Sequence, residues 1–112
     1  MLMTNSELQK AWEQSYKNGD NNLFYPDIEV VRFINRYICK RNVEGSITRI
    51  FNKKSKRALK GLDFACGSGS NCLIFNDFNI KGYGVDISHT AINIAKKRSI
   101  NLQKDNLEFL IL

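Results

Sequence analysis

At 112 residues the chain is long enough for one small domain and too short for two. A hydrophobic content of 43% and a charged content of 25% exclude a disordered chain. No apolar run approaches the roughly 20 residues that a membrane helix needs, and the opening MLMTNSELQKAWEQ lacks the apolar core of a signal peptide, so a cytoplasmic protein without membrane contact is the expectation.

The net charge is +6, and much of it sits in Lys53, Lys54, Lys56, Arg57 and Lys60, with Arg41 and Arg49 upstream. Such a cluster reads either as a patch facing nucleic acid or as a solvated loop. Only Phe51 interrupts it with an aromatic ring, which favours the solvated loop. Cys39, Cys66 and Cys72 are odd in number and lack CxxC spacing, so neither a disulfide framework nor a zinc site is expected. His89 is the only histidine, which excludes a His-rich metal site.

In chain order, the first predicted element is a helix over about 7–17, capped by Ser6 with Gln9 three residues on, as in a capping box. Leu8, Ala11, Trp12 and Ser15 share one face. Asn18-Gly19-Asp20-Asn21-Asn22 reads as a turn. Tyr25-Pro26-Asp27 opens a second helix, with Asp27 as cap and an apolar face of Val30, Val31, Ile34, Tyr37 and Ile38 that fades near Cys39–Asn42. Residues 43–60 form a polar, basic connector whose one apolar patch, Ile47–Phe51, has room for a short helix.

From Gly61 the pattern changes. Leu62-Asp63-Phe64-Ala65 is a short apolar strand carrying one acid, and Cys66-Gly67-Ser68-Gly69-Ser70 is a small-residue turn. Residues 71–78 form a helix, and Gly82–Val85 a second strand ending at Asp86. Ser88 caps a helix over about 89–99 with Ala91, Ile92 and Ala95 inward, and residues 107–112 form a third strand. Strands alternating with helices give a βαβαβ unit with a parallel sheet, an α/β Rossmann-like architecture. The expected organisation is a helical lead-in and basic connector over 1–60, followed by the βαβαβ unit over 61–112.

Two features of that unit carry chemistry. The glycine turn ends the first strand and Asp86 ends the second, and a doubly wound sheet binds its ligand beyond the carboxyl ends of its strands. Gly67 and Gly69 let the backbone bend sharply and let a ligand touch it. The helix after the turn offers free N–H groups to a negative charge. Asp86 has two acceptor oxygens for a ribose diol and follows the glycines at the distance expected of such an acid. Both a dinucleotide and S-adenosylmethionine satisfy these requirements. Asp63, just before the turn, would repel a pyrophosphate and favour a ligand carrying a sulfonium and an ammonium. Cys72 stands where a dinucleotide fingerprint wants a small residue.

Leu62-Asp63-Phe64-Ala65-Cys66-Gly67-Ser68-Gly69 resembles motif I of class I S-adenosylmethionine-dependent methyltransferases, commonly LDxGCGxG. Tyr83-Gly84-Val85-Asp86-Ile87-Ser88, with Ala91-Ile92 and Ala95-Lys96, resembles the second motif and following helix, GxDISxxAIxxAK. The resemblance implies S-adenosylmethionine as cofactor. Ala65, Gly67 and Gly69, with Cys66 between them, would line its methionine part. Asp63 would lie near the amino end, Asp86 would hold the ribose hydroxyls, and Ile87 would pack on adenine. Ala65 departs from the family's usual glycine and adds a methyl at what reads as a crowded turn.

Upstream, Trp12, Tyr25-Pro26 and Val31-Arg32-Phe33 resemble the lead-in of some bacterial methyltransferases acting on small molecules or surface sugars. That resemblance implies that Trp12 and Tyr25 cover the cofactor and that Arg32 meets a carboxylate; packing of Trp12 and Phe33 with a solvated Arg32 is the plainer reading. A small-molecule or sugar acceptor is the expectation.

The family also implies a seven-stranded sheet of roughly twice this length. The expectation is therefore a fragment ending in a third strand, with an open sheet edge through which it self-associates. No catalytic base is readable, and His89 reads as the first residue of a helix. The competing readings are half of an NAD(P)-dependent oxidoreductase domain and a non-catalytic remnant that contacts nucleic acid through the basic connector.

Overall fold

The computed structural model describes residues 2–19 and 25–112. The expected turn at Asn18–Asn22 lies outside the described residues from Asp20 onward. Helix α1 spans Asn5–Asn18. Its cap is Thr4 and not the expected Ser6: Thr4 Oγ1 accepts from the Glu7 N–H at 3.1 Å and Glu7 Oε2 accepts from the Thr4 N–H at 3.1 Å. Both Thr4/Glu7 and Ser6/Gln9 have capping-box spacing. The first pair places an anionic side chain in the first turn, where the helix dipole favours it. Gln9 is used elsewhere, donating to the Ile87 carbonyl at 3.1 Å. Gly19, at φ +79°, closes the helix in a left-handed conformation.

Helix α2, Ile28–Phe33, is capped by Asp27, whose Oδ1 accepts from the Glu29 N–H at 2.8 Å. The chain continues without a break into a wider, π-helical turn over Ile34–Ile38. Ile34 is buried among Cys39, Ile74, Phe78 and Ile80, with Val30, Val31 and Ile38 against them. Tyr37, expected on that apolar face, is instead at the surface beside Phe33, with ring centroids 5.2 Å apart. The wider turn breaks the 3.6-residue spacing on which that expectation rested.

The connector contains no helix at Ile47–Phe51. Strands β1 (Cys39–Arg41) and β2 (Ile47–Arg49) form an antiparallel hairpin with Cys39 opposite Arg49. Its turn is closed by the Asn42 N–H on the Ser46 carbonyl at 2.7 Å and by the Asn42 side chain on Ser46 Oγ at 2.8 Å. Ile47 packs against the Ile34 cluster.

Strand β3 (Lys60–Phe64), helix α3 (Cys72–Asp77), strand β4 (Lys81–Asp86), helix α4 (His89–Asn101) and strand β5 (Leu107–Ile111) complete the expected βαβαβ unit. The sheet is parallel, in the order β3-β4-β5. Ser88 caps α4 as expected, its Oγ accepting from the Ala91 N–H at 3.0 Å. Cys66, Cys72, Ile92, Ala95 and Phe109 fill the core between sheet and helices. Phe64 pairs with Val85, so the chain leaves β3 at Ala65 beside the point where β4 ends at Asp86. No helix among the described residues is long and apolar enough to cross a membrane.

Candidate cofactor site

The turn between β3 and α3 depends on left-handed backbone. Gly67 and Gly69 have φ of +57° and +84°, and Ala65 has +59°. A glycine carries that conformation without cost, whereas alanine does not. Ala65 is exposed, so the expected crowding is absent and the penalty lies in the backbone. Gly69 is needed twice over, because a Cβ there would fall 2.9 Å from the Phe109 ring and 3.0 Å from Ala95 Cβ.

Three elements hold the turn. From β4, the buried Asp86 accepts the Gly67 N–H on Oδ2 and the Ser88 N–H on Oδ1, each at 2.9 Å. One lone pair per oxygen is engaged in this way, and each oxygen retains capacity for a further donor. From α4, Arg98 Nη1 donates to the Ser68 carbonyl at 3.0 Å, to Ser70 Oγ at 3.1 Å and to Ser68 Oγ at 3.3 Å. From the lead-in, the Asp27 N–H donates to Asn71 Oδ1 at 2.7 Å. Helix α3 is only six residues long, so the positive charge of Arg98 outweighs its dipole at the turn.

Two cavities flank this framework. One, of about 290 Å³, is lined by Leu8, Trp12, Tyr16, Phe64, Ala65, Asp86, Ile87 and Leu112. The other, of about 460 Å³, runs along Cys66, Gly67, Ser68, Ser70 and Asn71, with Tyr25, Pro26 and Asp27 opposite, and shares Trp12, Tyr16 and Ala65 with the first. The structure thus brings Ala65, Cys66, Gly67, Asp86 and Ile87 together around one depression. Trp12 and Tyr25 stand at its walls. Gly69 is buried behind the turn. Cys66 lines the second cavity, but its Sγ lies in the core, where a Cβ on Gly84 would come within 2.8 Å of it.

Asp63 lines neither cavity. Its Oδ2 accepts from Cys72 Sγ at 3.7 Å. Burial pushes the Asp63 carboxyl up, the Cys72 hydrogen bond opposes this, and the charge of Asp86 adds to it. Arg32 lines neither cavity; it is exposed, with Nη1 3.5 Å from Glu29 Oε1. His89 is exposed at the start of α4.

Residues not anticipated from the sequence are Tyr16 and Glu13, both on α1. Tyr16 is buried, with its ring centroid 6.2 Å from that of Trp12. Burial raises its phenol pKa, and Asp86 raises it further. Glu13 bridges α1 to the start of α4: its carboxylate accepts from Ser88 Oγ at 2.6 Å, the Thr90 N–H at 3.0 Å and Thr90 Oγ1 at 2.6 Å. The spacing Leu8, Trp12, Tyr16 is the available signal for this face, since residues four apart stack along a helix.

Residues 55–112 match the model of a methyltransferase domain family. The chain belongs to this methyltransferase family. No curated protein matches the chain. Among solved structures, this methyltransferase chain superposes with TM-score 0.65 and 17% identity on one described for the conversion of a disulfide bond into a thioacetal group in echinomycin biosynthesis, covering 94% of this chain and 39% of that one. YjhP from E. coli gives 0.55 at 20% identity, covering 88% and 35%. Phosphoethanolamine N-methyltransferase 2 from Haemonchus contortus, in complex with S-adenosyl-L-methionine, gives 0.53 at 17% identity, covering 81% and 18%. At these identities the likeness is one of fold, and the chain spans well under half the length of each of the three.

Proposed function

We propose that this chain binds S-adenosylmethionine across the two cavities and serves methyl transfer to an acceptor. The observation that carries the reading is the buried Asp86, 7% exposed, which ends β4 on the wall of the first cavity while its carboxylate is tied to Gly67 of the second. One residue thereby addresses both ends of an extended ligand. The ribose hydroxyls fit the remaining acceptor capacity of Asp86. Ile87, Phe64, Trp12 and Leu8 offer the apolar surface an adenine requires. The second cavity, lined by the main chain of the turn at Ser68 and Ser70, which Arg98 braces, suits a carboxylate.

When bound, S-adenosylmethionine supplies an electrophilic methyl on its sulfonium, for in-line displacement by an acceptor atom. The chain's own contribution is to orient the cofactor and keep water from it: Asp86 by hydrogen bonding, the glycine turn by close backbone approach, and the α1 face by covering the site. For the acceptor we propose a small molecule or sugar, on the likeness of the lead-in residues Trp12, Tyr25-Pro26 and Val31-Arg32-Phe33.

Calorimetric titration with S-adenosylmethionine, S-adenosylhomocysteine and NAD tests the reading. Binding of either S-adenosyl compound without NAD is the expected result. Binding of NAD alone would overturn it.

A further inference from the structure

We infer that the chain carries a second binding surface, for single-stranded nucleic acid, on the basic segment between α2 and β3. Residues 30–61 contain ten of the 17 lysines and arginines of the chain and one acid, Glu44. Outside that segment acids outnumber bases. The fold gathers this charge instead of stringing it along a loop. The hairpin turns the segment back on itself, and the Ile50 and Phe51 N–H groups both donate to the Ile38 carbonyl, at 2.8 and 3.0 Å. Arg32, Arg36 and Lys40 thereby line one concavity with Ile50. Arg49, Phe51, Arg57 and Lys60 line another. None of these residues lines either cofactor cavity, so the inference stands apart from the cofactor reading.

Little in the chain answers these cations. Arg32 pairs with Glu29, and no other basic side chain of the segment has a salt bridge among the described residues. Arg41 and Arg49 donate to main-chain carbonyls, of Gly45 and Phe51, at 3.0 and 3.1 Å. Lys53, Lys54, Lys56, Arg57 and Lys60 are exposed. Like charges held this close repel one another and work against the compact state. A polyanion removes that repulsion and releases its own counterions on binding.

The sequence shows one ring, Phe51, inside the basic cluster. The structure adds two more. Phe33 and Phe51 line a common cavity together with Lys60. Tyr37 packs beside Phe33, and the Arg36 guanidinium stands 5.7 Å from the centre of the Tyr37 ring. All three rings are more than half exposed. Cations for phosphates beside open rings for bases are the two parts of a single-strand site. A duplex keeps its base faces stacked and has no use for the rings. A flat bilayer does not reach Phe33 and Phe51 in their concavity.

Fluorescence anisotropy of the whole chain with labelled oligo-dT of about 12 nucleotides tests the inference. The expected result is binding that weakens between about 50 and 200 mM salt. Arg57→Gln/Lys60→Gln weakens it about tenfold and lowers the slope of log Kd against log salt by about 1.4, for two phosphates lost. Phe51→Ala weakens it about fivefold or more and leaves the slope unchanged, because stacking releases no counterions. Lys10→Gln/Lys97→Gln removes as much charge elsewhere and changes the affinity about twofold at most. Arg57→Gln/Lys60→Gln carries the test if Phe51→Ala fails to fold.

Absence of binding at the lowest salt overturns the inference. So does an equal loss in the two charge variants, which marks bulk attraction, or a folded Phe51→Ala that binds like the wild type. Equally tight binding of a duplex of the same length overturns the assignment to a single strand. Sedimentation with phosphatidylserine vesicles, without oligonucleotide binding, overturns it in favour of a membrane.

Discussion

Gly67 donates its backbone N–H to Asp86 Oδ2 across 2.9 Å, so the end of β4 fixes the turn that follows β3. The second carboxylate oxygen takes the Ser88 N–H at the same distance. In Asp86→Asn one oxygen becomes an NH₂ group facing a backbone donor. We expect a loss of about 1–3 kcal/mol in stability, together with at least tenfold weaker binding of S-adenosylhomocysteine. Urea unfolding and calorimetry read the two effects separately.

Ala65→Gly should stabilise the protein. Alanine at φ +59° carries a left-handed penalty of roughly 1–2 kcal/mol. Glycine relieves it but adds about 0.4–1 kcal/mol of unfolded-chain entropy. The net gain is about 1 kcal/mol, seen as a higher urea midpoint at an unchanged slope. A loss of stability instead would show that Ala65 is not strained.

The attachment of α1 should fail in acid. Burial alone would raise the Glu13 carboxyl, but the bonds from Ser88 and Thr90, with Lys17 nearby, outweigh it and hold the pKa at about 2, below the ordinary 4.5. A depressed carboxyl stabilises the folded state above its unfolded pKa, and the contribution is lost as pH falls through the folded value. Trp12 emission should therefore change between pH 4.5 and about 2, and Glu13→Gln should abolish that transition.

Arg98 braces the turn through Ser68 and Ser70. Arg98→Met keeps the bulk of the stem and leaves the Ser68 carbonyl without this donor. The expected cost is about 1.5–3 kcal/mol, and weaker S-adenosylhomocysteine binding should accompany it. Arg98→Lys should recover only part of both, since an ammonium cannot reproduce the planar fork.

Much of the βαβαβ unit was legible because its signals are local. Short apolar runs bounded by Gly61 and Asp86 mark the strands, and Ser88 marks a helix start. The hairpin was not legible: strands of three residues, Cys39–Arg41 and Ile47–Arg49, are too short to show alternation, and their turn is held by Asn42 and Ser46 side chains. Thr4 and Ser6 both head a capping-box pattern, and the charge of Glu7 in the first turn and the use of Gln9 by Ile87 separate them. In the site, Asp86 and the glycines were readable because residue type dictates their role. Tyr16 was not, because its meeting with Gly67 joins residues 51 positions apart through the docking of a whole helix, which no local pattern records.

The framework around the turn also sets an order of events during synthesis. Gly67 and Gly69 leave the ribosome early, yet the groups that hold them come later: Asp86 from the second parallel strand, Arg98 from α4, and Phe109 behind Gly69. A parallel sheet cannot form by adjacent hairpins and must wait for each crossover. A nascent chain stalled before Arg98 would expose the glycine turn without its brace and should be readily cut there by protease, whereas release past Phe109 should protect it.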